Sequence, residues 1–167
     1  MQHFKVKLFA VTNEAAIEGA IPVFHRWIQE SALPGVLVDV ADYQHVPNGP
    51  GIILVAHDGI YSLDTFNGKL GLTYTRRTVL EGSDLERLRQ AVESVDRAAA
   101  LLEASPEFSG KLLFDRSRWE VAVNDRALAP NTQDTYLALK PVIEGVFPGR
   151  ALEHVGERRE LLRVAVG

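Results

Sequence analysis

Several short segments of this chain alternate apolar and polar residues, which is the pattern of β-strands that bury one face. A first strand is predicted over 6–11, where a lysine interleaves with apolar residues. A second strand is predicted over 36–43, which carries valine at alternate positions. The segment 52–56 is apolar on both faces and therefore predicts a central strand that is covered on both sides.

Two turn-forming dipeptides connect the next strands. Asp58-Gly59 follows the apolar segment, and Asn67-Gly68 follows a predicted strand over 60–64. Both pairs are favoured in two-residue hairpin turns, because both residues of each pair tolerate a positive φ. A further strand is predicted over 70–76. Three consecutive strands joined by tight turns predict an antiparallel meander.

Helical periodicity predicts about three helices. Ser83 and Glu86 have the spacing of a capping box, in which each side chain satisfies a backbone donor of the other residue. The helix that follows runs to about Ala104 and carries one continuous apolar stripe. An earlier helix is predicted to begin near Ile21, and a later one is predicted to be capped by Asn131.

These elements predict one α+β domain over residues 1–167, with a mainly antiparallel sheet, a β-meander and about three packed helices. Two strands are predicted at 112–114 and 119–123, separated by a short turn, and a last strand at 161–166. From Leu70 onward the predicted order is therefore strand, helix, two strands, helix, strand. That is the element order of a ferredoxin-like unit.

Composition narrows the functional classes. The chain has a formal net charge of −4 and no cysteine. A mildly acidic protein repels phosphate backbones, which disfavours nucleic acid as a partner. The missing cysteines exclude disulfides, thiolate catalysis and iron–sulfur ligation. No leader-like segment is visible and no apolar run approaches the roughly 20 residues of a membrane span, so we expect a cytoplasmic protein without a membrane partner.

The richest polar cluster of the sequence lies between Asp39 and Asp64. If the strands at 36–43 and 52–56 are neighbours, we expect Asp42, His45 and His57 to lie near one end of the sheet. Two imidazoles and a carboxylate suit a metal site or a general acid–base pair. No established metal-binding spacing is present, so no metal ligand is assigned. In the alternative interpretation, Asp42 and His45 tie down the following loop through hydrogen bonds to the backbone.

Two further residues are candidate ligand-binding positions. Asp39 lies in the middle of a predicted strand, and a carboxylate on a covered face needs a cationic partner. Such a partner is available in Arg26, Arg76 or Arg77, unless that face is solvated. His25 lies on the first helix, where it either lines a pocket or is partly buried and hydrogen-bonded.

The sequence leaves three functional hypotheses open. The first is a non-catalytic module that binds a small molecule or assembles into homo-oligomers such as a homodimer, and it requires no catalytic motif. The second is an enzyme that uses Asp42, His45 and His57, with or without a divalent metal. The third is a regulatory or structural domain that presents the strand around Trp119 or the long helix to another protein. No motif assigns a cofactor.

Overall fold

The computed structural model describes all 167 residues and contains one eight-stranded sheet and three α-helices. The strands are β1 (Phe4–Ala10), β2 (Leu37–Tyr43), β3 (Gly51–Ala56), β4 (Gly59–Asp64), β5 (Gly71–Arg76), β6 (Phe114–Val123), β7 (Leu152–Val155) and β8 (Arg163–Val166). The helices are α1 (Ala20–Glu30), α2 (Asp84–Glu103) and α3 (Gln133–Val146). The strand order is β2-β3-β4-β5-β1-β6-β8-β7, and every neighbouring pair is antiparallel. The α+β class, the antiparallel sheet and the meander are therefore confirmed.

Both predicted dipeptides lie at chain reversals, but neither forms a two-residue hairpin turn as predicted. The turn between β3 and β4 consists of His57 and Asp58, and Asn67-Gly68 lies within the six-residue connection 65–70 between β4 and β5. Asn67 and Gly68 have φ values of 54° and 70°, both in the left-handed region. Neither Asp58 nor Gly59 has a positive φ. The turn between β3 and β4 therefore forms one residue earlier than expected, without the left-handed conformation that motivated the prediction.

Local side-chain hydrogen bonds cap the starts of α2 and α3. The capping box is confirmed, because the Glu86 amide donates to Ser83 Oγ over 3.2 Å and the Ser83 amide donates to Glu86 Oε2 over 2.7 Å. The prediction that Asn131 caps α3 is wrong by one residue. Thr132 is the N-cap, whereas the Asn131 side chain is buried and its Nδ2 donates to the Glu157 carbonyl over 2.8 Å.

The second half of the chain differs from the expected order in the position of one strand. The segments 112–114 and 119–123 do not form two strands, because β6 runs continuously from Phe114 to Val123. The turn expected between them is a bulge inside β6: pairing with β1 shifts between Leu8 and Ala10, and Asp115 Oδ1 accepts the Ser117 amide. The last predicted strand is present as β8, and it forms a hairpin with β7, which was not predicted from the sequence. From Gly71 the order is therefore strand, helix, strand, helix, strand, strand.

All three helices lie on the same side of the sheet and leave the other face uncovered. The helix α1 packs on β2, α2 packs on β1 and β5, and α3 packs beside α2 and on β7. Alternate residues of the strands, such as Val6, Leu8 and Leu72, join the helices in one continuous apolar core. We call the uncovered side the open face; it carries the intervening residues, such as Lys7 and Thr73. None of the helices has both the length and the apolarity that crossing a membrane requires.

Candidate functional site

The structure separates the three residues of the predicted Asp–His cluster. The strands β2 and β3 are neighbours as expected, but they are antiparallel, so Asp42 pairs with Ile52 whereas Leu37 pairs with Ala56, next to His57. Asp42 and His45 therefore lie at one end of this hairpin and His57 at the other, roughly 17 Å away at about 3.4 Å per residue. The expectation that the three residues lie near one sheet end is wrong.

Asp42 and His45 instead organise their own loop, as in the alternative interpretation. Asp42 accepts hydrogen bonds from the Gln44 amide over 2.9 Å and from its side-chain Nε2 over 3.2 Å. The His45 ring stacks on Tyr43, with 6.4 Å between the ring centroids. Both residues are exposed to solvent. Nowhere in the chain are three His, Asp or Glu side chains grouped so that they could hold a metal ion.

Asp39 and His25 are also solvent-exposed. The Asp39 carboxylate accepts the neighbouring Val40 amide over 2.8 Å and pairs with no arginine. Of the suggested partners, Arg26 pairs with Glu107 and Arg76 pairs with Asp58. The face that carries Asp39 is thus solvated at that point. That His25, Asp39, Asp42, His45 or His57 binds a ligand stays a prediction.

A buried ionic network lies instead at the centre of the open face. The Lys7 Nζ donates to Asp64 Oδ1 over 2.6 Å, and the Thr73 hydroxyl donates to Asp64 Oδ2 over 2.8 Å. The Phe66 amide adds a third hydrogen bond to Asp64, over 2.9 Å. Lys7 and Asp64 are each 5% exposed and Thr73 is 2% exposed. Lysine and aspartate are almost never fully buried unless they are paired, and here the two residues are each other's partner.

Strand register explains how these residues meet. Lys7 is opposite Thr73 in the β1–β5 pair, and Asp64 is opposite Gly71 in the β4–β5 pair. Gly71 leaves room for the lysine, since a Cβ at that position would lie 2.5 Å from Lys7 Cε. Burial lowers the pKa of Lys7, and the attraction of Asp64 offsets part of this effect. The ammonium group has three donors, of which Asp64 and the Lys69 carbonyl accept two.

Beside this network the open face contains a cleft of about 450 Å³. We call it the Phe9 cleft, because three cations surround the ring of Phe9. Lys7 Nζ and Arg118 Cζ each lie 5.5 Å from the ring centroid, and Lys69 Nζ lies 5.9 Å from it. Phe66 adds further aromatic surface to the lining. The lining also contains two carboxylates, Glu120 and Glu153, of which Glu120 pairs with Arg163 over 3.8 Å. The four cations of the lining thus outnumber its carboxylates beside an apolar floor, an arrangement that suits an organic anion.

Some of the cationic side chains that line the Phe9 cleft have no carboxylate partner in the protein. Lys7 pairs with Asp64, and Arg163, which also lines the cleft, pairs with Glu160 over 2.8 Å. Lys69 and Arg118 form no ion pair. They therefore remain available to a ligand that enters the cleft.

The sequence contained part of the signal for this site. Lys7 interrupts an apolar strand at an alternate position, and Asp64 ends the polar cluster that begins at Asp39. What the sequence does not contain is the sheet order, which puts β1 beside β5 and brings together two residues 57 positions apart. No protein-family model and no curated protein matches this chain.

Proposed function

We propose that this protein is a binding module for a small organic anion, which occupies the Phe9 cleft. The observation that carries the proposal is the group of Lys69 and Arg118 around Phe9, two cations without a carboxylate partner beside the already paired Lys7. Like charges held around one ring repel one another, and an anion between them relieves that repulsion. The third donor of the Lys7 ammonium adds a hydrogen bond for the same ligand.

The charge of the whole chain makes this local group more informative. A protein with a net charge of −4 repels small anions over most of its surface, so a cluster of cations in one cleft marks the place where an anion is favoured. The volume of about 450 Å³ lies within the range of small-molecule sites. The aromatic rings of Phe9 and Phe66 provide a surface for the apolar part of the ligand.

Three probe compounds separate the two components of this recognition. We expect phenyl phosphate to bind more tightly than inorganic phosphate, because it adds contacts with the aromatic floor, and we expect benzyl alcohol not to bind. Replacing Arg118 or Lys69 by alanine is expected to weaken phenyl phosphate binding by about tenfold each, since each removes one charge-assisted contact. Titration calorimetry at two salt concentrations measures both effects, and binding should weaken as salt increases.

Two cationic residues outside the cleft provide matched controls. Lys111 and Arg89 are exposed residues that do not line the Phe9 cleft, so Lys111→Ala and Arg89→Ala should leave the affinity unchanged. If the control variants lose as much affinity for phenyl phosphate as the cleft variants do, the binding reflects the total positive charge of the protein and not a site in the cleft. Absence of phenyl phosphate binding at millimolar concentration would contradict the proposal.

A second candidate function is self-association through the edge strand β2. Large apolar side chains are exposed on and beside this strand, at Val36, Val38, Tyr43 and Val46. The outer side of β2 has unpaired backbone donors and acceptors, which can pair with a strand of another molecule. This arrangement supports the hypothesis of a homo-oligomeric assembly module.

The self-association hypothesis predicts a concentration-dependent dimer that depends on Val38. Lysine at this position, which is 57% exposed, places a charge on the edge and should shift the protein to the monomer. Light scattering over the micromolar range measures the mass of each variant. Leu128→Lys is the control, because Leu128 is exposed and lies outside β2. A wild-type protein that stays monomeric throughout this range would rule the hypothesis out.

A further inference from the structure

A second pocket lies on the opposite side of the sheet, between α2 and the strands. Its volume is about 190 Å³, and its floor contains Tyr61 and Tyr74, whose ring centroids are 4.9 Å apart. Gly59 makes room for the second ring, because a Cβ at that position would lie 2.6 Å from the Tyr74 hydroxyl. Burial raises the pKa of Tyr61 to about 12, so its hydroxyl stays neutral at physiological pH.

One face of α2 forms the wall of this pocket. The lining residues of the helix are Gln90, Glu93, Ser94 and Arg97. Their spacing of three, four and seven residues places them on a single face of the helix, next to the apolar stripe that packs on the sheet. All four have side chains that form hydrogen bonds or carry charge, so this wall of the pocket is polar.

The Gln90 side chain has a fixed orientation and a missing partner. The Gln90 Nε2 donates to Ser94 Oγ over 2.8 Å, and the Ser94 hydroxyl donates to the Gln90 backbone carbonyl over 2.9 Å. The other atom of the amide, Oε1, is therefore the one without a partner, and it is buried. A buried acceptor without a hydrogen bond is costly, which indicates that a donor from outside the protein completes this site.

Glu93 and Arg97 give the pocket opposite charges one helical turn apart. Glutamate four residues before arginine is a favourable spacing for an ion pair on a helix, yet these two residues form no ion pair with each other or with another side chain. Both are exposed where they line the pocket. One negative and one positive group thus remain free for a ligand that carries both charges.

We propose that this pocket binds a free α-amino acid or a similarly compact zwitterion. The ammonium group donates to Gln90 Oε1 and pairs with Glu93, the carboxylate pairs with Arg97, and the side chain lies on the two tyrosine rings. The volume equals the liquid volume of about six water molecules, which limits the ligand to a small molecule. This site does not depend on the Phe9 cleft, which lies on the other face of the sheet.

Three related probes test which groups of the ligand are recognised. Leucine carries both charges, 3-methylbutylamine lacks the carboxylate, and 4-methylpentanoate lacks the amine. A ligand that binds the folded state raises the urea midpoint of unfolding, so the midpoint is measured with each probe and with the other natural amino acids at about 10 mM. We expect at least one amino acid to raise the midpoint, and we expect the single-charge analogues of leucine to have less effect than leucine if leucine is bound.

The variant Gln90→Met separates binding from a structural role, because it predicts two effects of opposite sign. Removing the unpartnered acceptor should raise the urea midpoint of the ligand-free protein, while the increase caused by the amino acid should be lost. Arg97→Met should weaken amino acid binding about tenfold through loss of the carboxylate contact. Gln29→Met changes an exposed glutamine of α1 and should alter neither quantity.

Three results would overturn the proposal. These are no midpoint change with any amino acid, an unchanged amino acid response in Gln90→Met, or a single-charge analogue that acts as strongly as its parent amino acid. Lys69→Ala and Arg118→Ala should leave the amino acid response intact. Failure at this pocket is therefore distinguishable from failure at the Phe9 cleft.

Discussion

Replacing Asp64 by alanine is expected to lower the free energy of unfolding by about 3–5 kcal/mol, because the change leaves the buried Lys7 ammonium without its counter-charge. Asp64 also accepts hydrogen bonds from the Thr73 hydroxyl and the Phe66 amide, which lose their partner in the same variant. Urea unfolding followed by circular dichroism measures the effect, provided that the slope of the transition stays unchanged.

Two companion variants locate the origin of this loss. Lys7→Met leaves Asp64 with the Thr73 and Phe66 donors, so it should cost less than Asp64→Ala. The double variant should lose less stability than the sum of the two single variants, since it leaves no unpaired buried charge. A cost below about 1 kcal/mol for Asp64→Ala would contradict this account, because it would show that water reaches Lys7.

The sign of the pH dependence provides a further check on the same variant. In the folded protein the pKa of Lys7 is lowered from its ordinary value of 10.5, so between these two values the unfolded chain binds more protons than the folded one. The contribution of Lys7 to stability therefore increases as the pH rises through this window. Loss of Asp64 lowers the pKa of Lys7 further and widens the window, so the stability deficit of Asp64→Ala should shrink at alkaline pH.

Gly51→Ala is expected to reduce the stability by roughly 3 kcal/mol or more, through two effects that add. Gly51 has a φ of +65°, which is unfavourable for a residue with a Cβ. A Cβ at this position would also lie 2.2 Å from the Leu63 carbonyl oxygen and 3.0 Å from Asp64 Cα. Since both are backbone atoms, β4 must move, and the Asp64 carboxylate moves with it.

Gly68→Ala is the matched control for the backbone conformation alone. Gly68 has a similar φ of +70°, but a Cβ there would contact nothing within 4 Å. We expect this variant to lose only about 1 kcal/mol, measured by urea unfolding under the same conditions. Equal losses for the two alanine variants would show that the close approach of β3 and β4 contributes little.

The parts of the fold that are predicted correctly from the sequence depend on interactions between residues close together in the chain. The capping box of Ser83 and Glu86 and the chain reversal at Asn67-Gly68 each require only a few consecutive residues, and both are present in the structure. The separation of Asp42 from His57 also follows from a local feature of the chain. A loop as short as the one between the two strands favours an antiparallel pair, and an antiparallel pair places these residues at opposite ends.

The features that the sequence does not predict depend on contacts between residues that are distant in the sequence. The alternation in β6 is interrupted at Asp115, which indicates a strand end as well as it indicates a bulge, and only pairing with β1 decides between them. The ionic network of Lys7 requires that β1 lie in the interior of the sheet. The four polar residues of α2 that line the smaller pocket resemble a solvated helix face until Gln90 Oε1 proves to be buried.

The central position of β1 also bears on how the protein is made. The strand β1 leaves the ribosome before both of its partners, β5 on one side and β6 on the other, and Phe4 is opposite Val123. At a synthesis rate of about 5–20 residues per second, one edge of β1 waits on the order of ten seconds for its partner. During that interval the nascent chain exposes an unpaired strand of apolar residues. We therefore expect newly made protein to require chaperones more than its modest size suggests.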